Sequence, residues 1–171
     1  MKKFLCFLAA LMLLLLSGCG EAVLPQDISA EQVLEECLKV GENPEISSEY
    51  LKSKNNFDSF KMSLWADGIY AECPEAEMVS DYAIVTGSAK DTFEISVLKA
   101  DNAENAKQLR AVLQRRKQTI SGSDNSNYDP NFTKRFENLV IKEDGLFVML
   151  IMTEDNSKRL EQIEKLKKSW P

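Results

Sequence analysis

There is no histidine anywhere in the 171 residues. That absence removes Ser-His-Asp triads, Cys-His dyads and histidine-based zinc sites together. Positive charge is also short: 21 Lys and Arg face 27 Asp and Glu, a net −6 at pH 7. No general attraction to nucleic acid follows from such a balance. No GxSxG, SxxK, P-loop or GxGxxG run occurs, so the nucleophile and nucleotide templates stay empty. What is present looks ordinary: 44 % apolar and 28 % charged residues, the composition of a globular protein with a hydrophobic core. The length suits one domain.

Much of the apolar content sits at the N-terminus. Lys2 and Lys3 precede an unbroken apolar run from Phe4 to Leu16. Its 13 residues fall short of the ~20 that a spanning helix needs and fit the ~7–15 of a signal-peptide core. Leu16-Ser17-Gly18-Cys19 follows. It resembles the lipobox of bacterial lipoproteins: an aliphatic residue, two small residues that let extended backbone enter a narrow protease site, then Cys. The resemblance implies a diacylglyceryl thioether on Cys19, cleavage before it by signal peptidase II, and palmitate-type acylation. Residues 1–18 are then the signal peptide, 19–28 the lipidated Cys and a tether, and 29–171 a single domain with its core at about 60–168. The expected location is the outer, extracytoplasmic face of the cell membrane.

Without residues 1–18 the charge becomes −8 and is unevenly placed. Residues 20–78 hold 13 acidic and 4 basic side chains, whereas 79–171 hold 14 and 15. An acidic segment next to an anionic membrane is weakly repelled by it. Two cysteines remain for the domain, Cys37 and Cys73. Outside the membrane they could pair, but Cys37 falls on an apolar helix face, where a free thiol behaves as a small hydrophobe. Both states stay open. Two Cys without His make a poor metal site.

Ser29-Ala30-Glu31-Gln32 matches a capping box and predicts a helix over 30–40, with Gly41 as its stop. Residues 58–72 fit a helix or a strand. Residues 81–86 and 92–98 read as strands joined by a turn. Asp101 caps a helix over about 102–120, with Ala106, Leu109, Leu113 and Ile120 inward. Residues 121–135 read as a long polar loop. Residues 136–142 and 146–153 form a hairpin about Gly145, and a last helix starts at Asp155. The expected fold is α+β: a mainly antiparallel four-stranded sheet in ββα-ββα order, two helices on one face, and an extra N-terminal helix at an edge or end. The 146–153 strand is apolar at nearly every position and belongs inside the sheet, covered on both faces. A weak match between 101–112 and 155–166 leaves an internal duplication open.

The strand pair Tyr82–Val85 and Thr92–Lys99, the helix ending Arg115-Arg116-Lys117-Gln118, the Tyr128-Asp129-Pro130 loop and the Gly145–Ile151 strand carry a further likeness. Together with the lipobox they resemble a family of Gram-positive lipoproteins with a single domain of unknown function, over about residues 60–168. The resemblance implies fold and location and brings no activity.

Arg110, Arg115, Arg116 and Lys117, with Tyr128 in the following loop, form the candidate partner-binding face. Such cations could meet an anionic polymer or an acidic envelope protein. The last helix carries more basic residues, so two such helices side by side would make one basic surface. Asp124 to Asp129 is rich in oxygen ligands but fails as an EF-hand, with Asp129 where Gly is needed and Arg135 where Glu is needed. Glu35/Glu36 and Glu75/Glu77 are carboxylate pairs without the apolar setting that would raise one pKa. No catalytic residue, metal or cofactor is therefore assigned. The expected role is a membrane-anchored binding or accessory module with an envelope protein or anionic polymer as partner. A carboxylate hydrolase and a purely structural lipoprotein are the alternatives.

Overall fold

The computed structural model describes residues 22–43, 46–47, 58–88, 91–123 and 127–170. The lipobox therefore lies outside the described residues, as do Asp124 to Ser126. Helix α1 spans Ala30–Leu38 and starts at the full capping box: the Ser29 hydroxyl accepts from Gln32 N–H, and the Gln32 side chain accepts from Ser29 N–H. Strand β1 is the pair Ile46–Ser47. Helix α2, Ser59–Asp67, resolves the helix-or-strand ambiguity. Asp58 caps its N-terminus, and Gly68 ends it in the left-handed region at φ 70°.

A 3-10 turn over Pro74–Met78 leads into β2, Val79–Gly87, and then β3, Glu94–Ala100. Helix α3 covers Ala103–Gly122. Its N-cap is Asn102, one residue beyond the expected Asp101, because the Asn102 side chain accepts from Asn105 N–H. A short α4, Phe132–Glu137, occupies part of the supposed loop and takes Phe136 out of the next strand, β4, Val140–Asp144. Strand β5, Phe147–Met152, and helix α5, Asn156–Ser169, complete the chain.

The fold is α+β. Four full strands run antiparallel in the order β2-β3-β5-β4, and β1 adds a two-residue edge beside β2. Strand β5 is buried throughout, as its composition requires. Side chains alternate between two cores. Tyr82, Ile84, Leu98, Val148, Leu150 and Met152 face α2 and α3, through Met62, Trp65, Leu109 and Leu113. Ala83, Val85, Ile95, Val97, Phe147, Met149 and Ile151 face α1 and α5, through Val33, Leu34, Cys37 and Ile163.

The two long helices thus lie on opposite faces of the sheet, not on one. The N-terminal helix shares a face with α5 and does not sit at an edge. The reason is that an interior sheet with apolar residues on both sides needs two covers, and each long helix supplies half of one. Duplication is disfavoured by the same geometry. The two-fold that relates antiparallel neighbours β3 and β5 is perpendicular to the sheet, and it would keep both helices on the same side.

The sheet has two distinct ends. One holds the β4–β5 turn at Gly145 and the start of β2. The other holds the β2–β3 turn and the end of β5.

Candidate functional site

Residues 22–28 were expected as a tether, and from Leu24 onward they are part of the fold. Leu24 and Ile28 are fully buried in the α1–α5 core. The Leu24 N–H donates to Asp144 Oδ1 at 2.7 Å. Lys99 Nζ donates to the carbonyls of Gln26 and Ile28 at 2.6 and 2.9 Å and lies 5.3 Å from the Phe147 ring centroid. Trp170 Nε1 donates to Asp27 at 3.2 Å. Apolar side chains at two positions, with a lysine holding the carbonyls between them, make this a strap across the end of the sheet. Ala22 and Val23 emerge beside a 360 Å³ cleft lined by Lys142, Glu143, Asp144, Gly145 and Lys167. Lys167 Nζ meets Asp144 Oδ2 at 2.9 Å and Glu164 Oε1 at 2.8 Å. Burial alone would lower the Lys167 pKa, but the two carboxylates hold it above the ordinary lysine range.

The basic face on α3 is not a free surface. Arg110 is exposed. Arg115, by contrast, donates to Asp67 at 2.8 Å and to Glu75 at 3.0 Å, which ties α3 to the end of α2 and the 3-10 turn. Arg116 forms a bidentate pair with buried Glu94 (Nη2–Oε2 2.6 Å, Nε–Oε1 3.3 Å) and donates to the Trp65 carbonyl at 2.9 Å. Lys117 lies 5.8 Å from the Phe136 ring centroid. Tyr128 is exposed. The candidate set thus splits between solvent-facing Arg110 and Tyr128 and side chains that fasten one element to another. No single basic surface joins the two helices either, since they lie on opposite faces. Arg159 of α5 is fully buried. It donates to the carbonyls of Cys37 and Glu42 at 2.6 and 2.8 Å and to Thr153 Oγ1 at 3.0 Å. The Cys37 carbonyl belongs to the last turn of α1, where unpaired backbone acceptors and the negative dipole end favour a cation.

The end of the sheet away from the strap carries two clefts. The larger, 300 Å³, is bounded by Leu64 and Trp65 of α2, Thr86 to Ser88, Thr92 to Glu94, Arg116, Ile120 and Met152. Three hydroxyls and the Glu94–Arg116 pair face an otherwise apolar wall. Beside it, α2 and its exit expose Phe60, Leu64, Ile69 and Tyr70, and the rings of Phe60 and Tyr70 stack at 4.9 Å. Surface apolar residues grouped in one place mark contact sites more often than scattered ones. This stripe went unnoticed in the sequence because residues 58–72 had no settled secondary structure, and without it the i, i+4 spacing of Phe60 and Leu64 has no meaning. The smaller cleft, 120 Å³, is lined by Glu42, Asn43, Asp91, Phe93, Arg135 and Glu154.

Arg135 is buried and pairs with Asp91, with Asp129 at 3.0 Å and with Glu154 at 3.2 Å. Asp129 accepts from Thr92 Oγ1 at 2.5 Å and from Thr92 N–H at 2.9 Å. Burial would raise the Asp129 pKa, but these donors, the Asn131 N–H and Arg135 hold it below the usual aspartate value. The end of the polar loop is thus packed structure, and Asp129 serves Thr92 and Arg135. Among the described residues no cluster of His, Cys, Asp or Glu could hold a metal ion.

Cys37 and Cys73 are both unpaired and buried. They belong to different cores, with the sheet between them. Burial pushes the Cys37 thiol up to about 12 and, with the Glu75 carboxylate, the Cys73 thiol up to about 11. Glu36 is taken up by Lys39 and Gln162, and Glu75 by Arg115 and Cys73. Comparison with protein-family models, with curated proteins and with solved structures finds no match. Among the described residues no helix is long and apolar enough to cross a membrane.

Proposed function

We propose that this protein is a lipid-anchored module on the outer face of the cytoplasmic membrane, acting as a binding or accessory domain for another envelope component. The observation that carries the reading is the run Leu16-Ser17-Gly18-Cys19 behind a short apolar core with two lysines in front. Two acyl chains give stable attachment where one gives only marginal binding. The lipoprotein family resemblance over residues 60–168 points the same way. The contact surface in this reading is the end of the sheet with the 300 Å³ cleft and the Phe60, Leu64, Ile69 and Tyr70 stripe. The α3 cations are a weaker candidate, because Arg115 and Arg116 already have internal partners.

The test is Cys19→Ala expressed in the native cell. The expected result is loss of lipid labelling and accumulation of the unprocessed precursor; normal labelling and membrane retention refute the anchor. Photo-crosslinking from position 70 and from position 110 in the same cells then compares the two surfaces. Stronger capture from position 110 returns the partner to the basic helix.

A further inference from the structure

We propose that the bilayer faces the end of the domain that carries the β4–β5 turn, Val23 and the last turn of α5, and that a leash of a few residues holds it there. The inference rests on the lipid anchor at Cys19 and adds the orientation and the surface. Leu24 is immobilised by its buried side chain and by its bond to Asp144. Five Cα steps separate Cys19 from Leu24, so the Cys19 Cα lies within ~18 Å of the Leu24 Cα even with the chain fully extended.

The strap leaves the fold beside Gly145, where a Cβ would stand 3.4 Å from the Leu24 carbonyl oxygen and from Val23. Glu143 and Lys168 are exposed at the same end, as the pairing of Trp170 with Asp27 and of Lys167 with Asp144 requires. Strand β5 then runs away from the membrane, and its six residues put Met152 about 17 Å further out. The 300 Å³ cleft and helix α4 stand at that outer end. Turning the cleft toward the headgroups would draw this leash out to almost its full length, at a cost in chain entropy that the strap-end orientation does not incur. Bulk attraction plays little part, since acidic and basic side chains alternate around the turn (Lys142, Glu143, Asp144, Lys167).

The experiment uses the full lipidated protein, extracted from membranes and reconstituted into phosphatidylcholine vesicles with a minor share of phosphatidylglycerol and a copper-chelating headgroup lipid. A fluorophore is placed by Glu143→Cys or Lys168→Cys at the near end and by Thr133→Cys on α4 at the far end. Cys37 and Cys73 are buried and do not compete for label. The chain has no histidine to draw copper off the lipid. Short-range energy transfer to the copper is expected to be roughly threefold or more stronger from 143 and 168 than from 133. Equal or reversed transfer in protein that floats with the vesicles overturns the orientation and leaves the anchor standing. Failure of the wild-type protein to float overturns the anchor, and the orientation falls with it. A flexible insert of about 20 residues between Ala22 and Val23, with an r.m.s. span of about 25 Å, is expected to bring the three transfer values together. If the difference survives the insert, surface adhesion and not the leash sets the orientation.

Discussion

The strap can be tested on stability alone, apart from any membrane. Leu24 and Ile28 have fully buried side chains in the same core as Phe147, Ile163 and Val33. A mobile tether would tolerate Leu24→Ala or Ile28→Ala without cost. A packed strap loses the transfer free energy of the removed methyl groups and keeps a cavity, which together cost about 2–5 kcal/mol for each substitution. Leu24 has a backbone bond to Asp144 and Ile28 one to Lys99, and both survive truncation of the side chain, so the loss is one of packing. In a domain of this size, 1 kcal/mol moves the thermal midpoint by about 2–4 °C, so a loss of 3 kcal/mol lowers it by about 6–12 °C. Urea unfolding of the soluble form that starts at Gly20 is the assay, with an expected shift in midpoint at unchanged slope. Val23→Ala, at an exposed site, is the control and is expected to stay within about 0.5 kcal/mol. If both core variants match the control, the strap is a tether and the short-leash argument loses its foundation.

Three further outcomes are expected. The Asp129 carboxyl titrates below its ordinary value in the fold, so its stabilisation is complete above pH ~4 and is lost as pH falls through the lower folded value. Asp129→Asn is therefore expected to lower the midpoint at pH 7 and to flatten its decline between pH 5 and 2; an unchanged acid limb counts against the Thr92–Arg135 bonding. Removing Arg116 leaves the buried Glu94 carboxylate without its cation and is expected to cost about 3–5 kcal/mol; removing Glu94 leaves a partly exposed arginine and is expected to cost less, while the double change Glu94→Gln with Arg116→Met is expected to cost less than the two single losses combined. Additive losses in that double-mutant cycle refute the coupling. Native protein is expected to show no thiol titre at pH 8 from Cys37 or Cys73, and two reduced thiols after denaturation. An oxidised pair would mean that the two cysteines do not lie on opposite sides of the sheet.

What the sequence made legible was local. The Ser29–Gln32 capping box lies within one turn and formed as its spacing demanded. The Gly145 turn and the apolar β5 run depend on neighbours in the chain, and both gave the expected hairpin. Local misses were small, a cap placed one residue early and the helix Phe132–Glu137 read as loop and strand; the larger errors concern which elements meet. Arg115 lies off the Leu109–Leu113 stripe and looked outward, whereas Arg116, seven residues after Leu109, stands on that stripe, so its spacing already pointed inward; α2, the 3-10 turn and the start of β3 lie across the two, through partners 22 to 51 residues away. Arg159 looked like a solvated cation on α5 and is buried against the end of α1, 122 residues away. A helical pattern reports the angle of a side chain to its own core and carries no information on a second element packed beside it. Asp129 escaped for the same reason: a carboxylate in a Ser/Asn-rich stretch reads as solvent-facing until its receptor, Thr92, is known.

The division of the helices between two faces also decides where function can sit. Had α3 and α5 shared a face, the opposite face would have been an open sheet and the natural place for a partner. With α2 and α3 on one side and α1 and α5 on the other, both faces are closed. The side edges offer β1 and β4, of which β1 is only two residues long and β4 carries Lys142, Glu143 and Asp144, charges that discourage pairing with another strand. That leaves the two ends. One is taken by the strap and, in the orientation proposed above, faces the bilayer. Among the described residues, the proposed contact surface is therefore the other end, where the Thr86–Glu94 turn, the Glu94–Arg116 pair and the Phe60–Tyr70 stripe come together from three separate stretches of the chain.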